Sequence, residues 1–450
     1  MISLLQKSSA AICLRGFNDH ELQQASNFLS GRGHRVVRSL NAAQCVVAGP
    51  EAEPSLLDQS RARGLEVVAW DAIREALRDE GLMAGLMTSG GSAPLQKCPV
   101  ESLLCRDGGV WRMMDRPLPP APGVADCDRK YIPQAGRFAG LCFDQPFVET
   151  LQAVLTGVWH SMPVALEGET AASKTTAVLY LAHLINQPVI RLNLNGQTDA
   201  GELVGRHVPT NQGWRFQEGA LPLSMRCGHW LLLDEMNLAE PQVLERLNCA
   251  LEHPPTLVLS EGDGAVFGPG GDVEVSENFR LLATLNPAEY SGRSILSPAF
   301  RNRWLIWHQA HAPDEAAILA MLRTLVLGEQ PVVCWKGKSY RAEAVCPLFP
   351  QLQEIPELDA VLARFAMFHS TVAKAAHTPG QTPGLARQRR ERHTFTRRNL
   401  IATLQLCAAN SQSEPRQSLG DAIRQIYIDR YPDPADRKAI QAHLRAADLA

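Results

Sequence analysis

Two kinds of apolar pattern alternate along this chain. Short, mostly apolar runs fall at residues 162–166, 189–193, 228–235 and 279–286, and stretches with apolar side chains every three or four positions fall at 148–158 and 177–185. Such a run suits a strand covered on both faces, and the longer period suits a helix with one buried stripe. Strand and helix in alternation predict a parallel sheet flanked by helices, the α/β class, over residues 136–315. Gly and aromatic residues at 198–219 predict a hairpin inserted in a helix. Beyond residue 315 the helical period dominates (357–369, 398–409, 419–429), which predicts a helical subdomain over 316–450. Residues 1–80 have an α/β period of their own, with strands near 11–14, 34–37, 45–48 and 66–69 and helices at 20–29, 56–62 and 71–77. Periodicity vanishes over 81–135, where Gly90-Gly-Ser-Ala-Pro94 and Pro117-Leu-Pro-Pro-Ala-Pro122 predict a linker with one ordered patch at Val110-Trp-Arg-Met113.

Composition narrows the picture modestly. At 450 residues the chain is too long for one core. A net charge of −3 offers no global attraction to nucleic acid or to an anionic membrane. No apolar run is long enough to span a bilayer and no basic-apolar leader opens the chain, so the expectation is a cytoplasmic protein without a membrane segment. The eleven cysteines include no C-x-x-C and no Cys/His cluster at zinc spacing, and read as reduced thiols.

Chemistry concentrates where the first strand of the α/β region meets its helix. Gly168-Glu-Thr-Ala-Ala-Ser-Lys-Thr175 has the spacing of a phosphate-binding loop, G-x-x-x-x-G-K-[ST], with Ser173 in place of the second glycine. Backbone N–H groups of Glu169, Thr170, Ala171, Ala172 and Ser173, with the positive end of the following helix, would cradle a polyphosphate. Lys174 would reach its β- and γ-phosphates, Thr175 would hold Mg²⁺, and Thr176, at the helix start, is the last of the loop's nucleotide-binding residues. Gly228-His-Trp-Leu-Leu-Leu-Asp-Glu235 ends a buried strand in two acids, of which Asp234 would bind Mg²⁺ through water and Glu235 would polarise the attacking water. The strand at 279–286 ends in Asn286, a polar side chain placed to orient that water, and Arg301 and Arg303 follow at 296–304.

Taken together, the loop, Leu233-Asp-Glu-Met-Asn-Leu238, Ala283-Thr-Leu-Asn-Pro287 and Ala299-Phe-Arg-Asn-Arg303 resemble an AAA+ ATPase of the branch containing midasin, MoxR, dynein and the McrB restriction GTPase. The likeness covers roughly residues 136–430. It implies ATP and Mg²⁺ as cofactors and Asn286 as the sensor-1 residue. It also implies Arg301 or Arg303 as an arginine finger completing a neighbour's site, and Arg398, with Arg397 as the alternative, as sensor 2 of the helical lid. Further implications are a homo-oligomeric ring, a hexamer, and a separate protein partner carrying a von Willebrand A domain. Minichromosome maintenance helicases resemble this chain in carrying a small non-glycine residue before the lysine and still hydrolyse ATP, so slowed turnover is expected. Residues 1–80 resemble a BRCT domain. Arg15 stands where a hydroxyl usually precedes the first-strand glycine, and Leu56 where phosphate-reading members have lysine, which implies a docking module. The alternatives are a nucleic-acid-directed motor, suggested by the basic stretch Arg387-Gln-Arg-Arg-Glu-Arg392, a GTPase resembling McrB, and a nucleotide-binding scaffold without turnover.

Overall fold

The computed structural model describes residues 11–15, 35–37, 45–48, 65–69, 100–211, 213–287, 296–377, 394–410 and 415–449. They belong to two units, Met1–Cys98 and Pro99–Ala450. In the first unit β1 (Ala11–Arg15), β2 (Arg35–Val37), β3 (Cys45–Ala48) and β4 (Glu66–Ala69) form a parallel sheet in the order β2-β1-β3-β4. Those strands lie where the apolar runs predicted them; the expected helices fall outside the described residues.

The second unit opens with β5 (Glu101–Ser102), β6 (Leu104–Asp107), β7 (Val110–Met113) and β8 (Arg116–Pro117), followed by a 3₁₀ turn at Asp126–Tyr131. Next come α1 (Gln145–Trp159), β9 (Val164–Gly168), α2 (Lys174–Leu184), β10 (Val189–Asn193) and α3 (Ala200–Leu203). The hairpin β11 (Gly205–Thr210) and β12 (Gly213–Glu218) precedes α4 (Ala220–Cys227) and β13 (Trp230–Asp234). It stands between two helical pieces, as the glycine and aromatic content suggested. After α5 (Pro241–Glu245), the small pair β14 (Leu257–Val258) and β15 (Val266–Phe267) leads to β16 (Arg280–Leu285), α6 (Pro298–Arg303) and β17 (Ile306–Ala310).

Strands β10-β13-β16-β9-β17 form one parallel sheet in that order. Its interior explains the mostly apolar runs. Trp230 and Leu232 of β13 face one core with Val164, Leu166 and Leu282, and Leu231 and Leu233 face the other with Ala165, Leu281 and Ala283. Each strand therefore needs apolar side chains at both parities. The catalytic candidates sit at the C-terminal ends of these strands, where an open parallel sheet presents its ligand crevice.

The lid comprises α7 (Glu315–Leu327), α8 (Leu358–His377), α9 (Arg397–Ala409), α10 (Pro415–Ile423), a π turn at Arg424–Ile428 and, beyond it, α11 (Pro434–Ala446). Its core is separate and centres on Phe365, Phe368, Phe395 and Tyr427, with the last two rings stacked at 5.0 Å. A hairpin, β18 (Val332–Trp335) and β19 (Lys338–Arg341), interrupts the lid helices.

That hairpin changes the expected boundary between linker and ATPase unit. Tyr340 and Arg341 pair in parallel with Glu101 and Ser102, and Leu103, Met113, Met114 and Leu118 join the same core as Phe147, Val333 and Tyr340. From residue 100 onward the stretch expected as linker is part of the larger unit. Its partners lie far away in sequence, so no local period could reveal them.

Candidate active site

Loop, strand ends and lid meet in a cavity of about 500 Å³ lined by residues 170–176, Arg191, Asp234, Glu235, Thr284, Asn286, Arg397 and Arg398. Phe138 and Leu141 from the segment before α1, Met321 and Leu325 from α7, and Ile401 from α9 line an apolar part of it. The site thus has a polar floor suited to phosphates and an apolar region suited to a flat ring.

Lys174 is buried at the start of α2. Its Nζ donates to the carbonyls of Gly168 at 2.6 Å and Glu169 at 2.8 Å and to Asn286 Oδ1 at 2.9 Å. The other end of the same amide, Asn286 Nδ2, donates to Glu235 Oε1 at 2.8 Å and Oε2 at 2.9 Å. One side chain therefore spans the loop lysine and the second acid. Asn286 is itself fixed by Asn237, whose Nδ2 donates to its carbonyl at 2.7 Å.

Asp234 accepts from the Thr175 hydroxyl at 3.1 Å, from Thr284 Oγ1, and from Arg191 Nε at 2.8 Å in a fork that also uses Nη2. Sequence reasoning missed Arg191 and Thr284. The sign of Arg191 was an arginine in the middle of a strand, Val189-Ile-Arg-Leu-Asn193, where an apolar residue would be the default.

Both departures from the glycine pattern, Ala171 and Ser173, adopt left-handed backbone, with φ of 67° and 59°. A left-handed residue costs about 1–2 kcal/mol when it carries a Cβ, which is why glycine suits these positions. Glu235, at φ 56°, is a third such residue in the site. Ser173 has a compensating contact: Arg397 Nη1 donates to its Oγ at 3.1 Å. Arg397 Nη2 is paired with Asp144, the residue that caps α1 by accepting from the Phe147 N–H at 3.0 Å. Burial pushes the Asp144 carboxyl above its ordinary range, against the pull of the Arg397 guanidinium. Of the two lid arginines, Arg397 touches the loop, whereas Arg398 is exposed at the cavity rim.

Arg301 and Arg303 do not line this cavity. The Arg301 guanidinium lies 4.2 Å from the centre of the Trp307 ring and 3.5 Å from Glu167 Oε2, and remains half exposed. Arg303 donates to the Ala299 carbonyl at 3.1 Å. The basic stretch at 387–392 lies outside the described residues.

Comparison with known proteins agrees with this geometry. The model of the AAA domain (dynein-related subfamily) matches residues 163–304. Midasin of Dictyostelium discoideum is 39% identical over 155 residues, which is 34% of this chain and 2% of that protein. The denitrification regulatory protein NirQ of Stutzerimonas stutzeri is 28% identical over 183 residues, covering 39% of this chain and 64% of NirQ. Protein CbbQ of Hydrogenophilus thermoluteolus is 27% identical over 145 residues, covering 32% of this chain and 52% of CbbQ. The chain thus spans less than two thirds of each of these relatives. With the loop, paired acids, polar strand end and helical lid assembled around one cavity, residues 163–304 form an AAA+ ATPase domain, and over about a third of its length the chain is similar to midasin and CbbQ.

Proposed function

We propose that the chain is an ATP-hydrolysing motor that assembles as a ring, a hexamer, and remodels or activates a protein partner. The observation that supports this best is the line Lys174–Asn286–Glu235, in which a single amide accepts from the ammonium and donates to both oxygens of the carboxylate. A site that only held nucleotide would have no use for a carboxylate aimed in this way. In hydrolysis Glu235 accepts a proton from the water that attacks the γ-phosphorus. Lys174 and the loop N–H groups stabilise the charge gathering on the phosphoryl oxygens, and Asn286 keeps base and lysine in register. The Thr175 hydroxyl and Asp234 carboxylate are hard oxygen donors 3.1 Å apart, a donor set that fits Mg²⁺. When bound, Mg²⁺ would neutralise charge on the β- and γ-phosphates.

The ring reading is supported by the place of Arg301 and Arg303. Both sit on α6, outside the subunit's own pocket, which is lined by Arg137, Arg191, Arg397 and Arg398, so either would be free to serve a neighbour's site. The first unit would serve as a BRCT-like docking module, and the partner would supply the von Willebrand A domain. NirQ is a regulatory protein, which accords with action on another protein.

Glu235→Gln is the direct test: nucleotide affinity should stay within a few-fold while hydrolysis falls by orders of magnitude. Wild-type turnover in that variant would remove the assignment. For the ring, Arg301→Ala and Arg303→Ala are compared in a verified oligomer, and the inactive one is mixed with Lys174→Ala subunits. Partial recovery is expected, because intact sites form where a normal loop meets a normal arginine. Full activity in both arginine variants would refute a finger in trans.

A further inference from the structure

Away from the nucleotide cavity, three side chains of unlike chemistry converge at the N-terminal end of β13. Asp128 comes from the 3₁₀ turn Asp126–Tyr131, Cys227 ends α4, and His229 immediately precedes β13. One ligand atom from each lies within 4.8 Å of the other two. Gly228 makes this possible. Its left-handed backbone, φ 74°, caps α4, and the N–H groups of Gly228 and His229 both return to the Ser224 carbonyl, at 2.9 and 3.1 Å. The turn brings residues 227 and 229 to the same side; any side chain at 228 would run into Ser276.

His229 supplies the independent sign of a missing ligand. Its side chain is 1% exposed, yet neither ring nitrogen has a hydrogen-bond partner among the described residues. Nε2 stands 3.3 Å from Asp128 Oδ2, close enough to share an ion but without hydrogen-bond geometry. Buried imidazoles are nearly always paired, and a metal is one of the usual partners. Asp128 is partly buried and Cys227 is exposed, so the cluster opens to solvent on one side.

The geometry points to a transition-metal site in which Asp128, Cys227 and His229 bind one Zn²⁺, with water as the fourth ligand. A sulfur, nitrogen and oxygen donor set suits Zn²⁺ or Co²⁺ and argues against Mg²⁺ or Ca²⁺, which take oxygen. Cys227-Gly-His229 escaped the sequence reading because two ligands one residue apart match no zinc spacing and the third lies in a stretch read as linker. An ion here would clamp the 126–131 turn to the start of β13, the strand that carries Asp234 and Glu235 at its other end.

The test uses the full-length protein, stripped with a chelator and titrated with Co²⁺. We expect one Co²⁺ per chain with a thiolate charge-transfer band and the visible bands of tetrahedral cobalt, displaced by Zn²⁺. Cys227→Ser should abolish the charge-transfer band, and Asp128→Asn should weaken binding by about tenfold or more while circular dichroism stays unchanged. Cys127→Ser should retain both the band and the affinity. The proposal fails if Co²⁺ binds without a thiolate band, as it would at the oxygens of Thr175 and Asp234. It also fails if the band survives in Cys227→Ser, or if stripped protein takes up no Co²⁺.

Discussion

Replacing Arg397 with methionine would test how the lid is fastened. The guanidinium is 11% exposed and its partner Asp144 only 2%, so the ion pair is buried on both sides. Methionine keeps much of the aliphatic stem but leaves a carboxylate with no counter-charge. Breaking a buried pair from one side costs about 3–5 kcal/mol, because the orphaned ion stays desolvated. With an m-value of about 3 kcal/mol/M, the urea midpoint of the larger unit should fall by roughly 1–1.7 M at neutral pH.

The pH dependence is the sharper part of this test. Burial already raises the Asp144 carboxyl above its ordinary range, with Arg397 opposing, and loss of Arg397 raises it further. The folded variant then holds this proton more readily than the unfolded chain does. Its deficit should therefore be greatest at neutral pH and shrink as pH falls toward the ordinary carboxylate range. Asp144→Asn, which can still accept from the Phe147 N–H, should recover much of the loss in the Arg397→Met background. A coupling below about 0.5 kcal/mol in that double-mutant cycle, or a deficit independent of pH, would refute the reasoning.

Other expectations follow from the same contacts. Asn286→Ala releases both Lys174 and Glu235, and should lower single-turnover hydrolysis by about 10²–10³ with nucleotide affinity nearly unchanged; wild-type rates would count against the bridge. Ser173→Gly relieves about 1–2 kcal/mol of left-handed strain but removes a charge-assisted hydrogen bond of about 1.5–3 kcal/mol. Its urea midpoint should hence move little, while kcat rises as the backbone gains room beside the phosphate. In the lid, burial pushes His369 down to about 4, and its Nδ1 is paired at 2.6 Å with the Tyr427 hydroxyl. The folded lid therefore binds fewer protons there than the unfolded chain. Roughly 3 kcal/mol of stability should be present above pH 6.5 and be lost as pH falls toward 4, a slope that His369→Gln should abolish.

How much was legible in advance depended on whether the signal was local. The inner strands of the central sheet carry alternate residues into two cores, so β9, β13 and β16 are mostly apolar and were readable. Lys174, Thr175, Asp234, Glu235 and Asn286 were readable because a phosphate site needs those groups at the edge of successive strands. Contacts between distant segments were not. The β5–β19 pairing, the Asp144–Arg397 ion pair and the Arg191–Asp234 fork each join residues more than 40 positions apart. Sequence pattern also ranked Arg398 before Arg397, and in the structure both line the cavity: Arg397 is held by Asp144, and Arg398 is the more exposed of the two.

The altered loop and the lid are best understood as one device. Ala171, Ser173 and Glu235 all hold left-handed backbone without glycine, and such strain persists only where surrounding contacts over-determine it. Around Glu235 those contacts are the Asn286 amide and the hydroxyl of Thr284, which accepts from its N–H at 3.4 Å. For Ser173 they are the first helical hydrogen bond of α2, from the Ala177 N–H at 2.9 Å, and the guanidinium of Arg397. The loop's shape therefore leans on a residue of the lid, and that residue leans on Asp144 at the helix leading into the loop. The serine that stands in place of the motif's second glycine is thus the residue that ties the loop to the lid.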